Sequence, residues 1–294
     1  MAEPAIALDS DWLRAHPLPQ PDNGADKNAR GRVLAIGGCR SVPGGISLTA
    51  EAAFRAGAGK VQIATIASAA LPLGIAAPET AVFALVETPE GEIARGCAPI
   101  IAPLLERCDA VIAGPGMSDG AAGQAVVEAI LDAGAGVTVI VDAAALMRLG
   151  ANAEALGRRA LPPIITPHIG EMAALLDCEG DAIEADRAGA VRRAASRYGA
   201  VCVLKGPTSV IAEPEGRLFA YAGGGVGLAT GGSGDVLAGL AAGLAARGAD
   251  PLRATLWAVW LHGEAGRRCS EQIGPLGYLA RELLAHVPGL MRAI

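Results

Sequence analysis

Apolar residues along this chain come in short unbroken runs separated by longer stretches of helical spacing. The runs at 33–37, 61–65, 81–86, 110–113, 137–141, 164–166 and 201–204 are almost wholly apolar. Strands with that continuous pattern are buried on both faces, as in a parallel sheet covered by helices. Helices are predicted between most of them, near 45–57, 92–107, 119–134, 170–177 and 182–198. After Lys205 the rhythm changes. Segments 209–212 and 217–221 flank Glu213-Pro214-Glu215-Gly216, a turn signal that predicts a β-hairpin. Three more helices are predicted over 235–247, 251–269 and 276–286, and a short one at 10–15 within an otherwise aperiodic, proline-bearing start.

No linker or internal repeat divides the pattern. It predicts one α/β domain over 27–294, preceded by an arm at 1–26: a mostly parallel central sheet, helices on both faces and an antiparallel edge. In such sheets ligands bind beyond the carboxyl ends of the strands.

Composition narrows the function classes. Hydrophobic residues are 52% of the 294 and charged ones 18%, which calls for a large core and excludes extensive disorder. A net charge of −6 without a basic run argues against nucleic acid and anionic membranes, and 3% aromatics against base-stacking platforms. The six cysteines include no Cys-x-x-Cys pair and read as reduced thiols, not a disulfide frame or zinc site. The start lacks a signal-peptide pattern, and the most apolar stretch, 63–78, is broken by Pro72 and Gly74, short of a membrane span. A soluble, cytoplasmic protein is expected.

The densest chemical signal is the glycine-rich run 223–235, ending Gly231-Gly232-Ser233-Gly234-Asp235 and feeding Leu237, Leu240 and Leu244 at helical spacing. Bare amides at a helix N-terminus make an anion site, with phosphate the natural occupant. The spacing is neither Walker A, nor the dinucleotide fingerprint, nor the hydrolase elbow. Asp235 reads either as a proton acceptor beside that phosphate or as a helix cap. Gly114-Pro115-Gly116 closes one strand as a tight turn, with or without a ligand. Asp142 ends another, as a substrate or water-bridged metal contact or as an N-cap. Thr166-Pro167-His168-Ile169-Gly170-Glu171 places a histidine and a carboxylate at a strand exit, whereas His16, His262 and His286 have no such setting. Lys205-Gly206-Pro207-Thr208-Ser209 offers one cation and two hydroxyls, suited to nucleotide phosphates or to a solvated surface. Gly45 opens a helix after another glycine turn.

In this order the motifs resemble the ADP-dependent NAD(P)H-hydrate dehydratases of the ribokinase-like superfamily, over roughly 27–290. The resemblance implies a ribokinase-like fold and a nucleotide site at Lys205, Gly206, Pro207, Thr208, Ser209, Gly231, Gly232, Ser233 and Gly234. Gly45, Gly116, His168 and Asp235 match positions that bind the hydrated nicotinamide nucleotide, with Asp235 as the base. Where many members carry Thr and Pro this chain has Ser233 and Ile169, and Gly45 stands where alanine is common.

The chemistry so implied has Asp235 deprotonate the hydrate's hydroxyl, which attacks the terminal phosphate of ADP with Mg²⁺ present. Phosphate then leaves, giving NAD(P)H and AMP. The resemblance further implies a homo-oligomer, with a tetramer as candidate. The residues before the first strand are too few for the epimerase domain that the family often carries, so a separate epimerase is the expected functional partner. Two rival readings use the same glycine loop. One is a kinase of an alcohol such as hydroxyethylthiazole or hydroxymethylpyrimidine; the other is a nucleotide sensor, which would not need Asp235. The 166–171 motif favours the dehydratase.

Overall fold

Val33 to Ile36, Val111 to Ala113, Val139 to Val141 and Val201 to Leu204 are buried almost without exception, which fixes them as interior strands of a sheet covered on both sides. The computed structural model describes residues 4–118, 120–134 and 136–294. The strands are β1 (Ile6–Ala7), β2 (Arg32–Ile36), β3 (Lys60–Ile66), β4 (Ala81–Leu85), β5 (Ala110–Ala113), β6 (Thr138–Val141), β7 (Ile164–Ile165), β8 (Val201–Leu204), β9 (Thr208–Ala212) and β10 (Leu218–Ala222). They form one sheet in the order β1-β10-β9-β8-β7-β6-β5-β2-β3-β4. β9 runs against its neighbours β8 and β10, and the other pairings are parallel. The predicted hairpin is β9–β10, so the antiparallel part sits beside one edge, with β1 laid outside it.

The helices are α1 (Ser10–Ala15), α2 (Gly45–Arg55), α3 (Ala67–Ala76), α4 (Ala98–Leu105), α5 (Gly120–Ala133), α6 (Ala153–Gly157), α7 (Ile169–Leu176), α8 (Gly180–Ala185), α9 (Arg187–Tyr198), α10 (Ser233–Ala246), α11 (Pro251–Gln272), α12 (Ala280–Leu283) and α13 (Val287–Arg292). The first residue of the predicted 119–134 helix, Asp119, lies outside the described residues.

Several boundaries depart from the expected ones, each for a local reason. The helix expected from residue 92 begins at Ala98, because Ile93 bridges to Glu87 and Gly96 takes a φ of 89°. The 182–198 segment breaks at Asp186, whose carboxylate caps α9 by accepting from the Gly189 N–H. The 276–286 segment starts late, after Gly277 at φ 99°. The apolar 63–78 stretch is the rest of β3 followed by α3, which tolerates Pro72 within it.

The segment expected as an arm joins the sheet and the core. β1 pairs with β10, and Leu8, Leu13 and Leu18 are buried. Trp257 Nε1 donates to the His16 carbonyl, and Arg247 Nη2 to that of Pro19.

The packing that positions the site is α10 against α2. Gly239 and Gly243, one turn apart, face α2 so closely that a Cβ would stand 2.3 Å from the Thr49 carbonyl oxygen and 2.5 Å from that of Ala53. Thr49 Oγ1 donates to the Asp235 carbonyl at 3.2 Å, locking the first turn of α10 to α2.

Candidate active site

The residues singled out in the sequence converge at the carboxyl ends of the parallel strands. Asp142 follows β6 and Thr166 follows β7, while Lys205 follows β8 and Gly114 follows β5. Gly114 takes a φ of 116°, and a Cβ there would lie 1.8 Å from the Asp142 carbonyl oxygen, so glycine lets two strand ends close together. Ala143 is held at φ 52°, a strained conformation for a non-glycine residue, directly beside Asp142. Asp142 precedes a 3₁₀ turn but makes no side-chain capping bond there. Its buried carboxylate instead accepts from Thr166 Oγ1 at 2.7 Å and from Lys205 Nζ at 2.9 Å.

Lys205 Nζ also lies 3.6 Å from Glu171 Oε2. Burial acts against the Lys205 charge, and the Asp142 and Glu171 carboxylates more than reverse it, so its pKa stands above the ordinary lysine value. The ammonium is therefore a permanent cation at the strand ends.

His168 is the N-cap of α7. Its Nδ1 accepts from the backbone N–H groups of Gly170 and Glu171 at 3.0 and 3.3 Å, and Glu171 Oε2 accepts from the His168 N–H at 2.8 Å. This reciprocal box uses Nδ1 as acceptor, so in the neutral ring the proton sits on Nε2. The side chain is 60% exposed, leaving that N–H available to a ligand apart from Glu171 Oε1 at 3.5 Å.

Asp235 is the third residue of α10 and does not cap it; the N-cap is Gly232, which makes no side-chain capping bond. Burial, then the nearby Asp142 charge, push the Asp235 carboxyl up to about 7, with Lys205 opposing. Three carboxylates (Asp142, Glu171 and Asp235) thus share one ammonium. A Cβ on Gly45 would meet Asp235 Oδ2 at 3.1 Å and Gly116 Cα at 3.1 Å, and a Cβ on Gly234 would meet Lys205 Nζ at 3.4 Å. Asp235 therefore stands between the Gly45–Gly116 corner and the Lys205–Gly234 corner.

A cavity of about 720 Å³ opens on the second corner. His168, Lys205, Gly206, Pro207, Ser209, Gly232, Ser233, Gly234 and Asp235 line it, and Val226, Leu228, Leu237 and Val259 supply an apolar wall. Gly45 and Gly116 reach Asp235 from outside this lining, and Thr208 and Gly231 are exposed and do not line it. The Lys205–Thr208 turn is held by Arg187, whose Nη2 donates to the carbonyls of Leu204, Lys205 and Thr208. His262, without a setting in the sequence, also lines the cavity, with Nε2 2.9 Å from Ser233 Oγ. Among the described residues no group of three or more His, Cys, Asp or Glu side chains is arranged to hold a metal by itself.

The family model described as NAD(P)H-hydrate dehydratase matches residues 33–288. The chain is 47% identical to an ADP-dependent (S)-NAD(P)H-hydrate dehydratase of Xanthomonas campestris pv. campestris, over 95% of this chain and 93% of that one. This chain belongs to the NAD(P)H-hydrate dehydratase family. It is also 38% identical to a bifunctional NAD(P)H-hydrate repair enzyme of Moorella thermoacetica, covering 97% of this chain but 53% of that one. The chain thus spans about half the length of that bifunctional relative. Among solved structures it is similar to the Bacillus subtilis ADP/ATP-dependent NAD(P)H-hydrate dehydratase co-crystallised with ATP and Mg²⁺, at a TM-score of 0.83 and 28% identity, covering 99% of both chains. A hydroxyethylthiazole kinase of Pyrococcus horikoshii, at 18% identity and a TM-score of 0.58, shares the fold.

Proposed function

We propose that this chain catalyses the ADP-dependent dehydration of (S)-NAD(P)H hydrate to NAD(P)H, releasing AMP and phosphate. One observation carries the reading: Asp235 is a carboxyl poised near neutrality between a glycine loop of phosphate-binding type and the Gly45–Gly116 corner. In the proposed division, Lys205, Gly206, Pro207, Thr208, Ser209, Gly231, Gly232, Ser233 and Gly234 serve the nucleotide. Gly45, Gly116, His168 and Asp235 serve the hydrate.

The steps balance without any oxidant or reductant. The Asp235 carboxylate takes the proton of the hydrate hydroxyl as that oxygen bonds to the β-phosphorus of ADP and the bond to AMP breaks. The ring carbon–oxygen bond then breaks with its electron pair leaving on phosphate, and the adjacent carbon gives its proton to the departing phosphate as the C–H pair forms the ring double bond. The first-turn amides of α10 face the growing phosphoryl charge, Lys205 supplies a fixed cation, and the Nε2–H of His168 orients the hydrate.

Three carboxylates around one lysine leave the loop negative, which fits a divalent cation arriving with the nucleotide. Mg²⁺ commonly takes one or two carboxylates together with phosphates and water, and Asp142 and Glu171 are the candidates here. When bound, the ion neutralises charge on the transferred phosphoryl group.

A cytoplasmic location and a separate epimerase as functional partner belong to the same proposal. No helix among the described residues is long and apolar enough to cross a membrane. A homo-oligomer, with a tetramer as candidate, is also proposed. Leu71 and Ile75, on one face of α3 beside edge strand β4, are 74% and 73% exposed, which supports a self-association surface. Light scattering that finds a monomer at micromolar concentration would remove that part.

The test of the reaction is incubation of purified protein and Mg²⁺ with hydrated NADH and either ADP or ATP, following the absorbance of regenerated NADH. Faster turnover with ADP is expected. No NADH with either nucleotide would overturn the reading, and equal or greater rates with ATP would overturn the nucleotide preference alone.

A further inference from the structure

Ser233 and His262 form a pair that the proposed steps do not use. Ser233 opens α10 and is 6% exposed, and His262 reaches it from α11 with Nε2 2.9 Å from Oγ. Both line the cavity beside Lys205 and Gly234. Gly232, at φ 87°, leaves the first turn of α10 without a side-chain cap, so this 14-residue helix presents its N-terminus to the cavity. Burial pushes the His262 imidazole down to about 4, against a backbone hydrogen bond at Ser233 that raises it and with Lys205 lowering it further, so the ring is neutral at physiological pH.

A neutral imidazole and a hydroxyl carry one transferable proton each, and only one of the two lies between Nε2 and Oγ. With the ring proton on Nε2, the ring donates to Oγ and the hydroxyl proton is free to point at an anion. With the ring proton on Nδ1, the hydroxyl donates to Nε2 and turns only lone pairs outward, which repels an anion. An anion beside Ser233 therefore selects the first arrangement.

From this geometry we infer that His262 is a positioning residue for the nucleotide: its Nε2–H holds Ser233 Oγ so that the hydroxyl donates to a phosphate oxygen of the bound nucleoside diphosphate. The inference rests on the reading of 231–234 as the nucleotide loop. Being neutral, the pair adds a directional donor and no charge to a corner already carrying Lys205. It also assigns a role to a histidine whose sequence surroundings carry no motif.

The experiment measures ADP binding with Mg²⁺ by calorimetry, and the KM for ADP and for the hydrate, in wild type, His262→Leu, His262→Gln, Ser233→Ala and the Leu/Ala double variant. His262→Leu and Ser233→Ala should each weaken ADP ~10–150-fold, the size of one hydrogen bond to a charged group. The double variant should be no worse than either single, because both remove the same donor. His262→Gln, whose amide N–H can take the Nε2 place, should stay within about threefold of wild type. The KM for the hydrate should hold throughout. In ¹⁵N spectra of the protein's four histidines, His262 should carry its proton on Nε2 when ADP is bound.

Wild-type ADP affinity in His262→Leu, losses that multiply in the double variant, or an Nδ1–H ring in the ADP complex would each overturn the inference. Should His262→Leu not fold, Ser233→Ala against His262→Gln and the tautomer decide it. If ADP binding follows the expected pattern while the hydrate is not turned over, the proposed function falls and the pair stands. A working dehydratase in which His262→Leu binds ADP normally gives the reverse.

Discussion

Asp235 and Asp142 show how one buried lysine divides its attention. Lys205 is hydrogen-bonded to Asp142 and so cannot fully relieve Asp235, whose carboxyl burial has already pushed up to about 7. Asp142→Asn removes the nearer negative charge and frees Lys205 to favour an ionised Asp235. The acid limb of the pH–turnover profile should then move to lower pH, by roughly 0.5–1.5 units; a limb that stays in place would detach Asp142 from the base. His168 belongs to the other corner. His168→Ala removes both the cap of α7 and the exposed Nε2–H, so the KM for the hydrate should rise ~5–50-fold while ADP affinity barely changes. Calorimetry showing a large loss of ADP affinity would move His168 to the nucleotide side. Much of this site is legible in the sequence, because Asp142, His168, Lys205 and Asp235 each follow a strand or glycine turn that marks itself. His262 is not legible: its link to Ser233 spans 29 residues and exists only once α11 lies on α10.

At the scale of elements, α10 is unusual in being buried on nearly all sides, with Val236, Leu240, Ala241 and Leu244 in the core and two glycines against α2. A Cβ at Gly239 would sit far inside contact distance of the Thr49 carbonyl oxygen, and backbone cannot swing aside as a side chain can. Gly239→Ala should therefore cost ~1–3 kcal/mol and lower the Tm by about 2–5 °C. Because Thr49 ties α2 to Asp235, it should also lower turnover more than ADP affinity. An unchanged Tm would mean that α10 and α2 can part without cost. The continuous apolar strands are legible because two-sided burial admits few polar residues. α3 is hidden by Pro72 and by an apolar surface without helical period, and the break before α9 depends on Asp186, whose capping role appears only when Gly189 is three residues on in a helix. β1 is too short for any periodicity and gains its strand pairing from β10.

For the whole molecule, the raised Asp235 pKa links folding to pH. The folded chain holds a proton on Asp235 between about 4 and 7 that the unfolded chain releases, so this group's contribution to stability falls as pH rises through that window and is level above it. Asp235→Asn removes that ionisation. At pH 8 it should gain up to ~4 kcal/mol, a Tm rise of up to ~6 °C, and below pH 4 it should match wild type. Sequence alone suggests no Tm change, since Asn caps as well as Asp; the difference arises because Asp235 is a buried third residue and not a cap. Catalysis should move the opposite way, since the ionised form that burdens the fold is the form that takes the proton. The most direct measurement is the rate against pH with ADP and hydrated NADH both well below saturation and Mg²⁺ present, so that the profile reports the free enzyme, for wild type and Asp235→Asn. Wild type should rise with a one-proton slope to a midpoint near 7, and the variant should lose that limb and fall ~10²–10⁴-fold at pH 8 while binding ADP at least as well. A variant within a few-fold of wild type, or one that keeps the limb, would contradict Asp235 as the base.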